Sequence, residues 1–362
     1  MASWKALSSF SLLLSFATFA RADALDDYVR EMMAKDHIPG VCLAVVPPGG
    51  EAPIVRSYGY ANLELKVPYS PQTVHRIASI SKQFCAYAIL KLVKEGKIGE
   101  EDPLSKYFPN GHADWKHITI RQMLAHRSGI ADPEGDFDYR KEYTPAEYVA
   151  VLAKRPVAEE PGTTYRYNNH AYALLGLIAG QVSGKGLDGF VKEQVFDPVG
   201  MSNTRYWRLE DVIPNRSDSY LWQEGEFVRP LMIRPRIFHG SGGILSTMED
   251  MLKYEHALRK EEVLDRDVLL RQRKTFNGEE SGYGAGWGVS KPNGKAVMSH
   301  SGSTFGFMTY YLREIEEGWT VILFRNGGQG DSAEWAREIL KRGKEQRGTT
   351  LGDLARRSFQ LR

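Results

Sequence analysis

The stretch RIASISKQF, residues 76–84, sets two serines beside one lysine among apolar neighbours. On a helix, residues three or four apart share a face while adjacent residues point apart. Ser79 and Lys82 are three apart, so their side chains converge, and Ser81 points elsewhere. A serine hydroxyl is a poor nucleophile until a base takes its proton. Lysine can be that base only where desolvation or nearby positive charge lowers its pKa from about 10.4. A helix N-terminus adds backbone N–H groups and a positive dipole end, which favour negative charge growing on the serine oxygen. Four-residue patterns of this kind recur by chance, so the pair acquires meaning only with partners.

Two further segments offer them. In PGTTYRYNNHAYALLGLIAG, Tyr167, Asn168 and Asn169 stand just before an apolar helix from Ala171 to Ala179. Tyr167 is a candidate general base or proton shuttle, provided neighbouring cations lower its pKa from about 10. Asn169 carries an amide that can donate to a substrate carbonyl or hold Lys82 in place. A helix N-cap and a packed ring would use the same residues structurally. In SHSGSTFGF (299–307), at the end of one expected strand and the turn into the next, Gly302 lets a substrate approach the backbone closely. The N–H of Ser303 then joins that of Ser79 as an oxyanion donor. His300 and Ser301 offer polar side chains to the substrate rim.

The elements that must position these groups follow from periodicity. GVCLAVVPPGGEAPIVRSYGYAN reads as two strands joined at Pro47–Gly50. Phe84, Cys85, Ala88, Ile89, Leu92 and Val93 form a buried helical stripe that Gly96 ends, so Ser79 lies at the first turn of a core helix. From about 100 to 260 the signals are helical, with capping-box patterns at Thr119/Gln122, Thr144/Glu147 and Ser246/Glu249. After 280 the period changes to two, in YGAGWGVS, KAVMSH, GFMTYYLRE and WTVILFR, with a hairpin signal at Asn293-Gly294. SAEWAREILKR closes the domain as an amphipathic helix. The expected fold is α/β (an α+β sandwich): an antiparallel sheet built from both chain ends (about 25–95 and 265–343), flanked by helices, with an inserted all-helical lobe at about 96–264 and a tail at 346–362.

Taken together and in this order, the segments resemble the β-lactamase and penicillin-binding-protein superfamily, most closely the class C β-lactamase-like serine hydrolases, which include D-peptidases and esterases. HRIASISKQF is similar to the family's nucleophile helix, Tyr167-x-Asn169 to its Tyr-x-Asn motif, and His300-Ser301-Gly302 to its Lys-Thr-Gly strand. MLAHRSGI (123–130) and GSGGILSTMEDM (240–251) resemble two further signatures, so the likeness spans about residues 25–340. It implies a sheet with flanking helices and a helical lobe, in agreement with the periodicity. His300 stands where β-lactamases usually carry lysine. That departure points to the peptidase and general-hydrolase branches and leaves acyl-enzyme chemistry intact.

Other classes are excluded or weaker. Forty-seven basic against 45 acidic residues, a net +2, give no basic footprint for nucleic acid. No Gly-x-Ser-x-Gly elbow occurs, HGSGG (239–243) lacks a trypsin-type context, and nine histidines show no paired ligand spacing, so neither metal nor cofactor is expected. Cys42 and Cys85 lie on apolar faces and read as buried free thiols, although an exported chain could join them. Residues 1–22, with an apolar stretch from about Ala6 to Ala20 and Ala20-Arg21-Ala22 at its end, have the layout of a secretory signal peptide. No stable membrane span is expected after cleavage, and the location is secreted or periplasmic.

The sequence therefore predicts a serine hydrolase acting on a small ester, amide or D-peptide through an acyl-Ser79 enzyme. Lys82 and Tyr167 share proton transfer, the N–H groups of Ser79 and Ser303 hold the oxyanion, and Asn169 and His300 position substrate. The alternatives are a true β-lactamase or DD-peptidase, or a non-catalytic binding descendant that keeps the pocket. Sequencing the mature N-terminus of the exported protein should read from Asp23 or close to it; a soluble protein retaining Met1 contradicts the leader reading.

Overall fold

Along Gly40–Val46 the apolar run is continuous because both faces of the strand are covered. Val41, Leu43 and Val45 enter one core with Leu25, Val29, Trp335 and Ile339, while Cys42 and Ala44 enter a second with Phe84, Cys85 and Ile89. A period-two strand buried on both faces shows no polar alternation. The computed structural model describes residues 24–231, 236–279 and 282–360. The proposed leader, residues 1–22, lies outside the described residues.

The strands are, in chain order, β1 (Gly40–Val46), β2 (Ile54–Asn62), β3 (Val67–Pro68), β4 (His75–Arg76), β5 (Arg205–Tyr206), β6 (Leu221–Gln223), β7 (Glu226–Val228), β8 (Ile244–Ser246), β9 (Gly282–Tyr283), β10 (Gly288–Ser290), β11 (Val297–Thr304), β12 (Phe307–Glu314) and β13 (Thr320–Arg325). The main sheet has the order β3-β2-β1-β13-β12-β11-β10-β9 and every pairing in it is antiparallel. Its centre joins the two chain ends, from Val41 opposite Arg325 to Val46 opposite Thr320. The Ala24–Lys35 and Ser332–Gln360 helices cover one face. The Ser81–Lys94 helix covers the other, with Ser81 through Leu90 all buried.

The intervening lobe is mainly helical and adds two small sheets, β4-β8-β5 and β6-β7. The boxes at Thr119/Gln122 and Thr144/Glu147 form as expected. The third cap is displaced by one residue: Thr247 accepts from the Asp250 N–H at 3.1 Å and caps Met248–Lys260. Ser246 ends β8 opposite His75, which turns its hydroxyl to Thr204 at 2.8 Å. YGAGWGVS is likewise not one strand, because Gly286 at φ +82 presses against the Lys82 and Gln83 backbone and breaks it between β9 and β10. The final helix continues to Gln360, well past the expected end.

Both cysteines are free and buried, with burial pushing each thiol up to about 12. No described helix is long and apolar enough to cross a membrane.

A buried ion cluster fastens the Met248–Lys260 helix to the sheet. Glu255 meets Arg313 at 2.9 Å and Arg259 at 2.6 Å, and accepts from Thr320 at 2.9 Å and from the Tyr311 hydroxyl. Burial raises the Glu255 pKa, but attraction to Arg313 and Arg259 outweighs it and holds the carboxyl below its usual range. Removing one member of such a pair leaves a buried charge uncompensated, at about 3–5 kcal/mol. Glu255→Gln should therefore lower the urea midpoint markedly at pH 7. The contribution of a depressed carboxylate is present above its unfolded pKa of about 4.3 and is lost as pH falls through the lower folded value. The gap between Glu255→Gln and the parent should narrow in acid; an equal gap at pH 7 and pH 3 contradicts this assignment.

Candidate active site

Ser79 occupies a 3-10 turn, Ala78–Ile80, that runs directly into the Ser81–Lys94 helix. Ala78 before it has φ +48, an uncommon value for a residue with a Cβ. Such local strain persists only where surrounding structure over-determines it. Here the clamp is β11. A Cβ at Gly302 would lie 2.5 Å from the Ile77 carbonyl oxygen and 2.1 Å from Thr309 Oγ1, and Thr309 donates to that same carbonyl at 3.0 Å. The missing Cβ of Gly302 thus makes room for the Ala78–Ile80 turn, a use the sequence did not suggest. Ser79 is half-buried between buried Ala78 and Ile80.

The Lys82 side chain is 0 % exposed. Its Nζ lies 3.2 Å from Ser79 Oγ, 2.7 Å from Asn169 Oδ1 and 2.8 Å from the Ser241 carbonyl oxygen. No carboxylate is among these partners, and burial drives the amine's pKa well below the usual lysine value. A neutral amine has two N–H bonds and one lone pair. The amide oxygen and the carbonyl oxygen can only accept, so they take both N–H bonds. The lone pair is left toward the Ser79 hydroxyl.

Asn168 and Asn169 divide the two uses that the sequence left open. Asn168 caps the Asn169–Ser183 helix, its Oδ1 accepting from the Ala171 N–H at 2.9 Å. That leaves Asn169 free for Lys82. Ser81 is buried and accepts from the Ile244 N–H at 3.1 Å, and the Ser241 hydroxyl turns back to the Phe238 carbonyl at 3.3 Å. Neither competes with Ser79.

Tyr167 packs its ring against Lys82, with Nζ 4.8 Å from the centroid. Its pKa is raised, by burial of the hydroxyl first and by Tyr165 as well, while a hydrogen bond with Ser79 pulls the other way. The cation-lowered tyrosine that the sequence suggested is not present, because burial dominates and the Lys82 amine meets the ring face and is itself depressed. Tyr167 therefore carries its proton beside Ser79, and 39 % of its surface is open to an incoming substrate.

His300 also departs from expectation. It is buried, with Nε2 2.7 Å from the Tyr283 hydroxyl and Nδ1 2.6 Å from the Ser301 carbonyl oxygen. A carbonyl accepts only, so Nδ1 donates and Nε2 accepts from Tyr283. Burial, with Lys82 adding to it, takes the pKa down to about 3. The imidazole is neutral, fully engaged and not at the substrate rim; it positions Tyr283. Ser301 and Ser303 are the exposed residues of that strand. Along β11, β10 covers only Val297–Ser299, so among the described residues β11 from His300 onward has an open edge on that side.

Sequence reasoning missed four neighbours: His126, Tyr172, Tyr283 and the Ser241 carbonyl. His126, at φ +55, accepts from the Asn168 N–H at 3.0 Å and packs 4.3 Å, 4.9 Å and 4.5 Å from the rings of Tyr167, Tyr172 and Tyr283. Burial, Lys82 and His300 all hold its pKa well below the usual value. Tyr172 ties the site together, donating to the Leu124 carbonyl at 2.8 Å and accepting from the Gly286 N–H at 2.9 Å. The signal for His126 and Ser241 lay in MLAHRSGI and GSGGILSTMEDM; nothing local marked Tyr283. Among the described residues no group of histidine, cysteine or carboxylate side chains could hold a metal ion.

The chain as a whole has counterparts among known proteins. The beta-lactamase family model matches residues 25–344, and the chain belongs to that family. A penicillin-binding protein of Bacillus subtilis (strain 168) is 28% identical over 316 residues, 81% of this chain and 69% of the relative. D-amino acid amidase from Ochrobactrum anthropi SV3, in complex with D-phenylalanine, superimposes with a TM-score of 0.74 at 25% identity, covering 90% of this chain and 97% of the amidase. The octameric penicillin-binding protein homologue from Pyrococcus abyssi gives 0.73 at 26% identity, over 86% and 75% of the two chains.

A serine-directed fluorophosphonate should label a peptide containing Ser79. Labelling should vanish in Ser79→Ala and persist in Ser81→Ala and Ser241→Ala; undiminished labelling of Ser79→Ala would place the nucleophile elsewhere.

Proposed function

We propose that this protein is a serine hydrolase that cleaves a small ester, amide or D-peptide through an acyl-enzyme on Ser79. The observation that carries the reading is the contact of a desolvated Lys82 Nζ with the Ser79 hydroxyl at 3.2 Å. Ser79 Oγ attacks the carbonyl carbon as Lys82 Nζ accepts its proton. The N–H groups of Ser79 and Ser303 receive the oxyanion, since both lie where the nucleophile turn meets the open edge of β11. Tyr167 gives its proton to the leaving group as the tetrahedral species collapses, and is reprotonated from Lys82. Water then attacks the acyl-Ser79 ester by the reverse relay and restores the free enzyme. Asn169 keeps Lys82 in register throughout.

Relatedness to penicillin-binding proteins and a D-amino acid amidase supports amides and D-configured peptides as the substrate class. The buried neutral His300 supports the peptidase and esterase branches over a true β-lactamase, because it presents no positive charge to a β-lactam carboxylate. The reading extends to an exported protein, on the strength of its N-terminal sequence. Turnover of a p-nitrophenyl ester and of a D-amino acid amide, with little of a chromogenic cephalosporin, is the expected pattern. No turnover of any of the three, together with no labelling of Ser79, would favour a binding protein that keeps the pocket.

Two variants and one profile test the proton path. kcat/KM should fall as pH drops through the ionisation of Lys82, which lies far below that of a free lysine. Lys82→Arg, whose guanidinium stays charged, should lose activity at every pH. Tyr167→Phe keeps the ring but removes the transferable proton, so turnover should fall by about 10²–10⁴-fold. A nearly silent Tyr167→Phe would remove Tyr167 from the relay.

A further inference from the structure

Arg76 stands three residues before Ser79, yet no step of the hydrolytic reading uses it. It is only 4 % exposed, and among the described residues it has neither an ion-pair nor a hydrogen-bond partner. The guanidinium lies over the face of Trp207, its carbon 4.5 Å from the ring centroid. Burial alone pulls its pKa down to about 9. An unpaired cation inside a protein is costly, and replacing buried charge with an apolar residue of similar size is often neutral or stabilising. A chain that keeps such a group has a use for it.

The guanidinium borders a cavity of about 280 Å³, near the lower end of the usual range for small-molecule sites. Two donors around it are buried and lack acceptors, Arg76 Nε and the Trp207 indole N–H. Two more arginines line the cavity. Arg229 is engaged by Glu64 at 2.7 Å and Asp218 at 3.3 Å, whereas Arg216 makes no ion pair among the described residues. Three arginines against these two carboxylates leave one positive charge. The remaining walls include Leu245, Phe305 and Phe307, which are apolar.

We propose that this cavity is a binding site for a small monocarboxylate bearing an aromatic or branched apolar group. The carboxylate would accept from Arg76 and the Trp207 indole with Arg216 at the mouth, and the apolar group would lie against Phe305, Phe307 and Leu245. The site is distinct from the Ser79–Lys82 pair and does not depend on the hydrolase reading. It lies beside the machinery all the same: Arg76 pairs with Leu245 in the small sheet, and Phe305 forms the turn that closes β11.

Calorimetric titration of the full chain with phenylacetate, and with neutral phenylacetamide, tests the assignment. Phenylacetate should bind and phenylacetamide should not. Arg76→Met should weaken phenylacetate at least tenfold while leaving the melting temperature unchanged or higher, the mark of a charge kept for a ligand. Should Arg76→Met fail to fold, Trp207→Phe and Arg216→Gln serve instead, and each should weaken phenylacetate several-fold. Absence of phenylacetate binding at millimolar concentration, equal binding of the amide, or affinity unchanged in the variants that fold would each overturn the proposal.

Discussion

Everything distinctive about this site depends on keeping one amine out of water with no negative charge to comfort it. Lys82 lies on a helix buried on all sides, and the groups that meet its Nζ are neutral: a hydroxyl, an amide oxygen and a backbone carbonyl. A carboxylate in the place of Asn169 would have raised the amine's pKa and kept it an ammonium. A water-filled pocket would have done much the same by solvating the charge. With two acceptors fixed and the third contact a hydroxyl, the arrangement disfavours the ammonium form and points the amine at Ser79.

The surroundings serve that condition. His126 and His300 are both held neutral, so they add no charge beside Lys82 while their ring nitrogens orient Asn168 and Tyr283. Tyrosine rings fill the remaining space, and Tyr172 bonds at once to the chain after Met123 and to Gly286, locking two loops around the amine. The strained Ala78 and the missing Cβ of Gly302 are two halves of one contact, which lets the serine turn sit against the strand.

The molecule treats buried charge in three ways. Glu255 and Arg313 are paired and further hydrogen-bonded, and each keeps its charge. Lys82 is unpaired, and burial pushes its pKa well below the usual lysine value. Arg76 is unpaired and, being a guanidinium, keeps it over the face of Trp207. The first arrangement holds the helical lobe to the sheet, the second favours a neutral amine, and the third leaves a positive site facing a cavity.

Much of this was legible in the chain alone. The spacing of Ser79 and Lys82, the apolar stripe of their helix and the period-two run after residue 280 follow from side-chain direction, which depends on local backbone geometry and so is written in short sequence windows. The order of the motifs was enough to suggest the family that the comparison establishes. Two capping boxes were read correctly for the same local reason. The third slipped by one residue because strand pairing, a long-range event, decided where β8 ended. Only the tertiary structure decided the ionisation states. A sequence names titratable groups but not the water around them, so it could not show that Tyr167 is raised rather than lowered, that His300 is spoken for by Tyr283, or that Arg76 faces a cavity with no carboxylate paired to it. Desolvation is set by the sum of atoms brought together from distant parts of the chain, and that sum exists only once the chain is folded.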